Sequence, residues 1–147
     1  MELIIGDTIL ICFENGDIER FHKRCKKWTV VKKTLNANGY LTIQIENKLY
    51  LSHRIIYKAF HPEFDLYSPL HIDHINRDKT DNRIENLRLV SNQQNQFNTN
   101  AKGYTKRKFG FEAQIVLNGK RYSKRFKIEE DARNWYLEQK AILHIID

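Results

Sequence analysis

The sequence predicts an α+β fold, in which short strands are mixed with a few helices. Short apolar and β-branched runs are separated by turn signals, Asn15-Gly16 and Asn118-Gly119, that are typical of hairpins. Apolar residues change to helical spacing over 53–60 and 129–144, and a capping-box pattern begins at Ser91. A chain of 147 residues is long enough to bury a core without disulfides or metals.

The composition excludes several classes of protein. With 41% hydrophobic and 29% charged residues, the chain lies in the globular range and is not expected to be disordered. It has no apolar run long enough for a membrane span and no signal-peptide pattern, so we expect an intracellular protein that is neither membrane-bound nor secreted. Cys12 and Cys25 are too few for a disulfide framework and lack the spacing of a zinc knuckle.

The basic excess is concentrated at the C-terminal end. The formal net charge is +7, and residues 101–147 carry 11 bases and 6 acids, or +5 of that total. Aromatic residues alternate with the bases between 102 and 127 in a strand-like pattern. Such a surface favours contact with the phosphates of a nucleic acid.

Periodicity and turn signals divide the chain into three regions. The N-terminal region, residues 1–50, is β-rich and contains an apolar strand over 4–13, its return over 18–21, and a second hairpin formed by 41–45 and 49–51. The central region, residues 51–100, contains a helix over 53–60 capped by Ser52, strands over 70–73 and 87–90, a polar loop over 75–86 and a helix over 91–99. The C-terminal region, residues 101–147, contains strands over 104–108, 111–117 and 120–126 and a final helix over 129–144.

The order strand, loop, strand, helix in the central region would bring together Asp73, His74, Asn86 and Asn95. The oxygens of Asp73 and Asn95 are hard donors that suit Mg²⁺ better than zinc. A neutral imidazole at His74, beside such a cation, can take a proton from water. Each residue alone is equally typical of a turn or of a buried structural position, so the combination and its spacing are the informative observation.

This central segment resembles the HNH endonucleases of the type found in phage and large-virus homing enzymes. The resemblance covers about 38–98. Its specific portion consists of Asp73-His74-Ile75-Asn76, Asn82-Arg83-Ile84-Glu85-Asn86-Leu87-Arg88 and Asn95.

The resemblance implies a ββα-metal nuclease that hydrolyses DNA phosphodiester bonds to a 5′-phosphate and a 3′-hydroxyl. It implies that His74 is the general base, that Asp73 and Asn95 hold one Mg²⁺ or Mn²⁺, and that Asn86 holds the backbone presenting His74. Asn95 stands where the family name implies a histidine, so Asn92 and Asn98 remain alternative helix ligands. His71 shares the strand parity of Asp73 and is a further candidate, whereas His53 is expected in the core.

The C-terminal region resembles the three-strand-plus-helix DNA-binding domain of plant ethylene-response factors over 101–140. This resemblance implies contacts with DNA, for which the candidates are Arg107, Arg121 and Arg125. Near the centre, the bases placed to meet phosphates are Arg77, Lys79, Arg83 and Arg88.

We therefore expect a monomeric endonuclease acting on double-stranded DNA, with no small-molecule cofactor beyond the metal. If the chain is viral, it would act in the host cytoplasm or nucleus. Two alternatives stay open: a catalytically silent DNA-binding regulator on the same scaffold, and an RNA-binding module with aromatic residues on an open sheet face.

Overall fold

The computed structural model describes residues 1–145 and confirms the predicted α+β class. Its strands are β1 (Glu2–Ile5), β2 (Thr8–Cys12), β3 (Ile18–His22), β4 (Lys27–Val30), β5 (Thr34–Leu35), β6 (Leu41–Ile45), β7 (Lys48–Leu51), β8 (His71–His74), β9 (Leu87–Val90), β10 (Tyr104–Arg107), β11 (Gly110–Leu117) and β12 (Lys120–Phe126). Its α-helices are α1 (Ser52–Phe60), α2 (Asn92–Phe97) and α3 (Glu129–Leu143). No helix of residues 1–145 is long and apolar enough to cross a membrane.

The strands form four small sheets in chain order. They are β1-β2-β3-β4, β5-β6-β7, the two-stranded β8-β9 and β10-β11-β12. In the three larger sheets each strand pairs antiparallel with the next one along the chain, as short turns between neighbours require. No sheet of the described residues therefore needs a crossover connection.

The chain divides into two compact units, Met1–Leu89 and Val90–Asp147. The core of the first unit combines residues from the N-terminal sheets, from α1 and from the β8-β9 hairpin, among them Leu10, Ile43, Ile55 and Leu87. The predicted division at residue 50 thus runs through one shared core. In the second unit, Ala113 and Ile115 of β11 pack against α3.

The first predicted strand is interrupted. The segment predicted as one strand over 4–13 is two strands, because Gly6 turns the chain with a φ of +57°. The side chain of Glu46 accepts a 2.8 Å hydrogen bond from the backbone N–H of Asp7 in this turn. A Gly-Asp pair is a recognised turn signal, but here it lies inside a continuous apolar run that hides it.

The helix boundaries follow local side-chain chemistry to different degrees. The predicted capping box is confirmed: Ser91 accepts from the backbone of Gln94, and the Gln94 side chain accepts from the backbone of Ser91. The predicted cap at Ser52 is wrong, because Leu51 is the N-cap and Ser52 is a fully buried first residue of α1. The last helix begins at Glu129 as predicted, with three acidic residues in its first turn.

Candidate active site

The strand β8 ends in two buried polar residues. Asp73 is 8% exposed and His74 is 4% exposed, although carboxylates and imidazoles usually remain in contact with water. The preceding residue, Ile72, lies in the apolar core of the first unit and fixes the position of the strand. Burying polar groups at this place is costly unless other groups satisfy them, so their partners define the site.

The imidazole of His74 is held by Asn82. Its Nε2 lies 2.9 Å from Oδ1 of Asn82, and both side chains are buried. An amide oxygen can only accept, so Nε2 carries the proton where it faces Oδ1 of Asn82, as it does here. In the neutral ring the lone pair is then on Nδ1. Asn82 belongs to the motif that resembles HNH endonucleases, but its contact with His74 was not predicted, because that contact depends on the conformation of the loop.

Two further rings lie next to His74. The centroid of His53 is 5.0 Å away in an edge-on arrangement, and that of Tyr40 is 6.0 Å away. The pKa of His53 is lowered to about 3, mainly by burial and additionally by the charges of His74 and Arg54. His53 is therefore a neutral side chain in the wall of the site, and it is buried as expected.

Asn86 ties the two ends of the loop 75–86 together. Its Oδ1 accepts from the backbone N–H of Asn76 at 2.9 Å, and its Nδ2 donates to Oδ1 of Asn76 at 3.0 Å and to the carbonyl of Asp81 at 2.8 Å. The backbone of Ile75 also donates to the carbonyl of Asn86 at 2.9 Å. Asn86 thus binds the backbone of Asn76, two residues after His74, and its role in presenting His74 for catalysis stays a prediction.

Arg83, in the loop 75–86, forms ion pairs with two carboxylates. Arg83 pairs with Asp81 at 2.8 Å and with Glu85 at 2.9 Å. Hydrogen bonds from Arg83 lower the pKa of Asp81 to about 2, and Asp81 in turn raises the pKa of Arg83. Arg83, predicted to contact DNA, is therefore partly neutralised within the loop.

Arg88, a second residue predicted to contact DNA, is hydrogen-bonded to Asp73. The guanidinium of Arg88 donates to Oδ2 of Asp73 through Nε at 3.0 Å and through Nη2 at 2.8 Å. This places a cation on the carboxylate that was predicted to hold a metal. The structure therefore adds an internal partner for Arg88 that the sequence did not indicate.

The other predicted residues of the centre are distributed between the two units. Lys79 donates to the carbonyl of Asn38 at 3.0 Å and lies over the ring of Tyr40. Arg77 has a left-handed backbone with a φ of +67°. His71 is half-buried at the start of β8. Asn95 lies on α2, in the second unit, and its place as a metal ligand stays a prediction.

The donors at this site fit a divalent cation of the magnesium type. Within residues 1–145, no group of three or more His, Cys, Asp or Glu side chains is arranged to hold a metal ion. Mg²⁺ needs no such group, since it is usually bound by one or two carboxylates and keeps several waters. A single buried carboxylate such as that of Asp73 is a donor that suits Mg²⁺ or Mn²⁺, whereas zinc is usually held by nitrogen and sulfur ligands.

The predicted DNA-binding residues of the C-terminal region lie on one face of its sheet. Register places Arg121 opposite Val116 and Arg125 opposite Glu112, on the face away from the buried Ala113 and Ile115. Both arginines are exposed. Arg107 is on the same face but is ion-paired with Glu112 at 2.7 Å.

Comparisons with known proteins find similarity in the central region of the chain. Residues 50–97 match the HNH endonuclease family. An uncharacterized HNH endonuclease of Acanthamoeba polyphaga mimivirus is 35% identical over 119 residues, which are 75% of this chain and 63% of the relative. The chain thus spans less than two thirds of that relative's length.

A solved structure with a similar arrangement is described as DNA binding and cleavage by the HNH homing endonuclease I-HmuI. The two share 18% sequence identity with a TM-score of 0.43, over 82% of this chain and 72% of that chain. A likeness of this size carries no conclusion about the present protein. The segment match and the viral relative agree with the resemblance predicted from the sequence: residues 50–97 are similar to HNH endonucleases.

Proposed function

We propose that this chain is a metal-dependent DNA endonuclease of the homing type, with His74 as its general base. The observation that carries the proposal is the state of His74 within the HNH segment. The ring is buried, its Nε2 is held by Asn82, and Asn86 binds the backbone of Asn76 that follows it. A side chain held this firmly loses little orientation entropy when it meets a reacting group.

The hydrogen bond to Asn82 determines which nitrogen of His74 acts. With the proton on Nε2, the Nδ1 atom of the neutral ring is the acceptor for a proton from water. The water that loses this proton attacks the scissile phosphorus in line with the departing 3′ oxygen. The products would be a 5′-phosphate and a 3′-hydroxyl.

Asp73 and Asn95 are the residues that we propose to hold one Mg²⁺ or Mn²⁺, with Asn92 and Asn98 as alternatives to Asn95. When bound, the cation would polarise the phosphate and stabilise negative charge on the departing oxygen. Arg88 orients the carboxylate of Asp73 through its two hydrogen bonds. Its positive charge also competes with a cation for the same oxygen.

Double-stranded DNA is the proposed substrate. The open face of the C-terminal sheet presents Arg121 and Arg125 to solvent, and the net charge of +7 favours attraction to phosphates. At the centre we propose contacts by Arg77 and Lys79, with smaller contributions from the ion-paired Arg83 and Arg88. A monomer with one such centre would cut one strand, so nicking is the expected product.

The test is a cleavage assay on a supercoiled plasmid library that carries genomic fragments, with Mg²⁺ or with EDTA. The variants Asp73→Ala and His74→Ala are compared with His22→Ala, which removes an exposed histidine at the end of β3. We expect Mg²⁺-dependent nicking that EDTA and both site variants abolish, while DNA retardation in gels persists and His22→Ala cuts normally. Full cleavage by His74→Ala would contradict the assignment of the base.

The same assay distinguishes the silent DNA-binding regulator. A regulator on this scaffold would retard DNA, would cut no member of the library in Mg²⁺ or Mn²⁺, and would be indifferent to Asp73→Ala. That result would contradict the endonuclease proposal while leaving the DNA-binding surface intact.

A further inference from the structure

The N-terminal turn, residues 13–17, lies against the loop that carries Asn82. Gly16 at its centre is buried and has a φ of +88°. A Cβ atom on Gly16 would lie 2.8 Å from the carbonyl carbon and 2.8 Å from the carbonyl oxygen of Asn82. These are backbone atoms that cannot turn aside, so only glycine permits this approach.

Hydrogen bonds fix the turn on both of its sides. The backbone of Ile84 donates to the carbonyl of Glu14 at 2.9 Å, which joins the turn to the loop two residues after Asn82. Lys33 donates to the carbonyl of Gly16 at 2.7 Å from the other side. Within the turn, Asn15 and Asp17 bond to each other at 2.9 and 3.0 Å. Asn82 therefore packs on a rigid surface that lies outside the HNH match.

We propose that Asn82 is the positioning residue that sets the tautomer and orientation of His74, and that the N-terminal turn holds Asn82 in place through Gly16. The inference rests on the proposed function, in which His74 is the base. Asn82 is 4% exposed, and its Nδ2 has no hydrogen-bond partner within residues 1–145. The buried amide is thus retained with only its oxygen used, and that oxygen bonds to His74.

An unused buried donor retains its full desolvation cost, so a merely structural position would favour an apolar residue. The arrangement is explained if the oxygen is needed at Nε2. It keeps the proton on that nitrogen and leaves Nδ1 as the acceptor. Loss of the oxygen would remove the acceptor that favours the Nε2–H tautomer.

The test reads the tautomer of His74 directly and needs no cleavage. Long-range ¹H–¹⁵N spectra of the ¹⁵N-histidine-labelled full chain are recorded near pH 8.5, about two units above the ordinary histidine pKa of about 6.5. His74→Gln identifies the signal. We expect the Nε2–H tautomer in the unaltered chain, a mixture of tautomers in Asn82→Ala, and the Nε2–H tautomer again in Asn82→Asp, which keeps an acceptor oxygen.

The turn is tested by Gly16→Ala against Gly39→Ala. Gly39 is in the same unit and has a similar φ of +81°, but the nearest atom to its added Cβ is Lys79 Cδ at 3.8 Å. We expect Gly16→Ala to mix the tautomers and Gly39→Ala to leave them unchanged. If Gly16→Ala does not fold, Lys33→Met takes its place, because it removes the hydrogen bond to the Gly16 carbonyl. We expect Lys33→Met to change the tautomer ratio of His74 in the same direction, by a smaller amount.

The outcomes separate this inference from the proposed function. An Nδ1–H tautomer in the unaltered chain, or an unchanged spectrum in Asn82→Ala, overturns the role of Asn82. The role of the turn is overturned if both glycine variants change the tautomer ratio of His74 equally. It is also overturned if Gly16→Ala is unfolded and Lys33→Met leaves that ratio unchanged. If the spectra are as expected but no DNA is cleaved, the positioning role of Asn82 is supported and the proposed endonuclease function is contradicted. Where cleavage is observed, Asn82→Ala should lose a large share of the roughly 10²- to 10⁴-fold that a general base contributes.

Discussion

Arg88 donates two hydrogen bonds to a single carboxylate oxygen of Asp73, at 3.0 and 2.8 Å. The side chain of Asp73 is 9% exposed and that of Arg88 is 26% exposed, so the pair is only partly shielded from water. A carboxylate held in this way is oriented before any metal arrives. The guanidinium must share or release this oxygen if the same carboxylate is to bind a cation.

We predict that Arg88→Ala destabilises the chain and increases its response to Mg²⁺. Loss of two charge-assisted hydrogen bonds to a buried carboxylate should cost about 1.5–3 kcal/mol, with water offsetting some of the cost. Millimolar Mg²⁺ should then raise the free energy of unfolding in urea more in Arg88→Ala than in the unaltered chain. Arg83→Ala is the control, because the Arg83 side chain is 52% exposed and its ion pairs are worth about 1 kcal/mol or less. Equal Mg²⁺ effects in all three chains would contradict a metal site at Asp73.

We predict that Asn86→Ala loosens the loop 75–86 and lowers stability by roughly 2–4 kcal/mol. The side chain makes three hydrogen bonds across the loop, and the backbone groups of Asn76 and Asp81 would lose their partner. Urea unfolding gives the free energy, and amide exchange at Asn76 reports the loop itself. Asn86→Asp keeps only the accepting bond, so its free energy of unfolding should lie between that of the unaltered chain and that of Asn86→Ala. A change below about 0.5 kcal/mol, which is typical of surface positions, would contradict this role.

We predict that His53 makes stability depend on pH. Its pKa falls from 6.5 in the unfolded chain to about 3 in the folded one, mainly because of burial. Between these values the unfolded state binds more protons, so stability is complete above pH 6.5 and is lost as pH falls toward 3. The loss should reach on the order of a few kcal/mol.

Urea unfolding near pH 4.5 and near pH 7.5 measures this effect. The drop in stability should be smaller in His53→Phe, which has no titrating group, whereas the exposed His22→Gln should retain the full drop. A drop in His53→Phe as large as in the unaltered chain would assign the pH dependence to other groups.

We predict that Arg121→Gln and Arg125→Gln weaken DNA binding uniformly across sequences. If each arginine meets one phosphate, each variant should reduce the slope of log Kd against log salt by about 1. Arg107→Gln should have a smaller effect, because its charge is already paired with Glu112. Titrations at several salt concentrations measure the slopes. An unchanged slope in both Arg121→Gln and Arg125→Gln would exclude the open sheet face as the DNA contact.

Local features of this fold were predictable because they depend on neighbouring residues. The capping box at Ser91, the start of α3 at Glu129 and the strand β12 each follow from spacing within a few positions. The turn at Gly6 was missed, because the tertiary contact with Glu46 that accompanies it is 39 residues distant in sequence.

In the candidate site, too, features set by neighbouring residues were predictable and features set by tertiary contacts were not. Asp73 and His74 are adjacent in sequence, and Asn86 lies across one loop, so their neighbourhood could be inferred from a hairpin. The bond from His74 to Asn82 and the pairing of Arg88 with Asp73 depend on the conformation of the loop and on strand register. Neither leaves a pattern in the sequence, since asparagine and arginine are common in polar loops and strands.

The shared core of residues 1–89 limits how the segment that matches the HNH family could be moved or redesigned. The family match begins at residue 50, yet Leu10, Ile18 and Ile43 pack in the same core as Ile55 and Leu87. A fragment cut at residue 50 would leave the apolar face of α1 uncovered and would aggregate or remain unfolded. Recombination that transfers residues 50–97 to another protein must therefore carry the N-terminal sheets with it, so the heritable module is larger than the motif by which it is recognised.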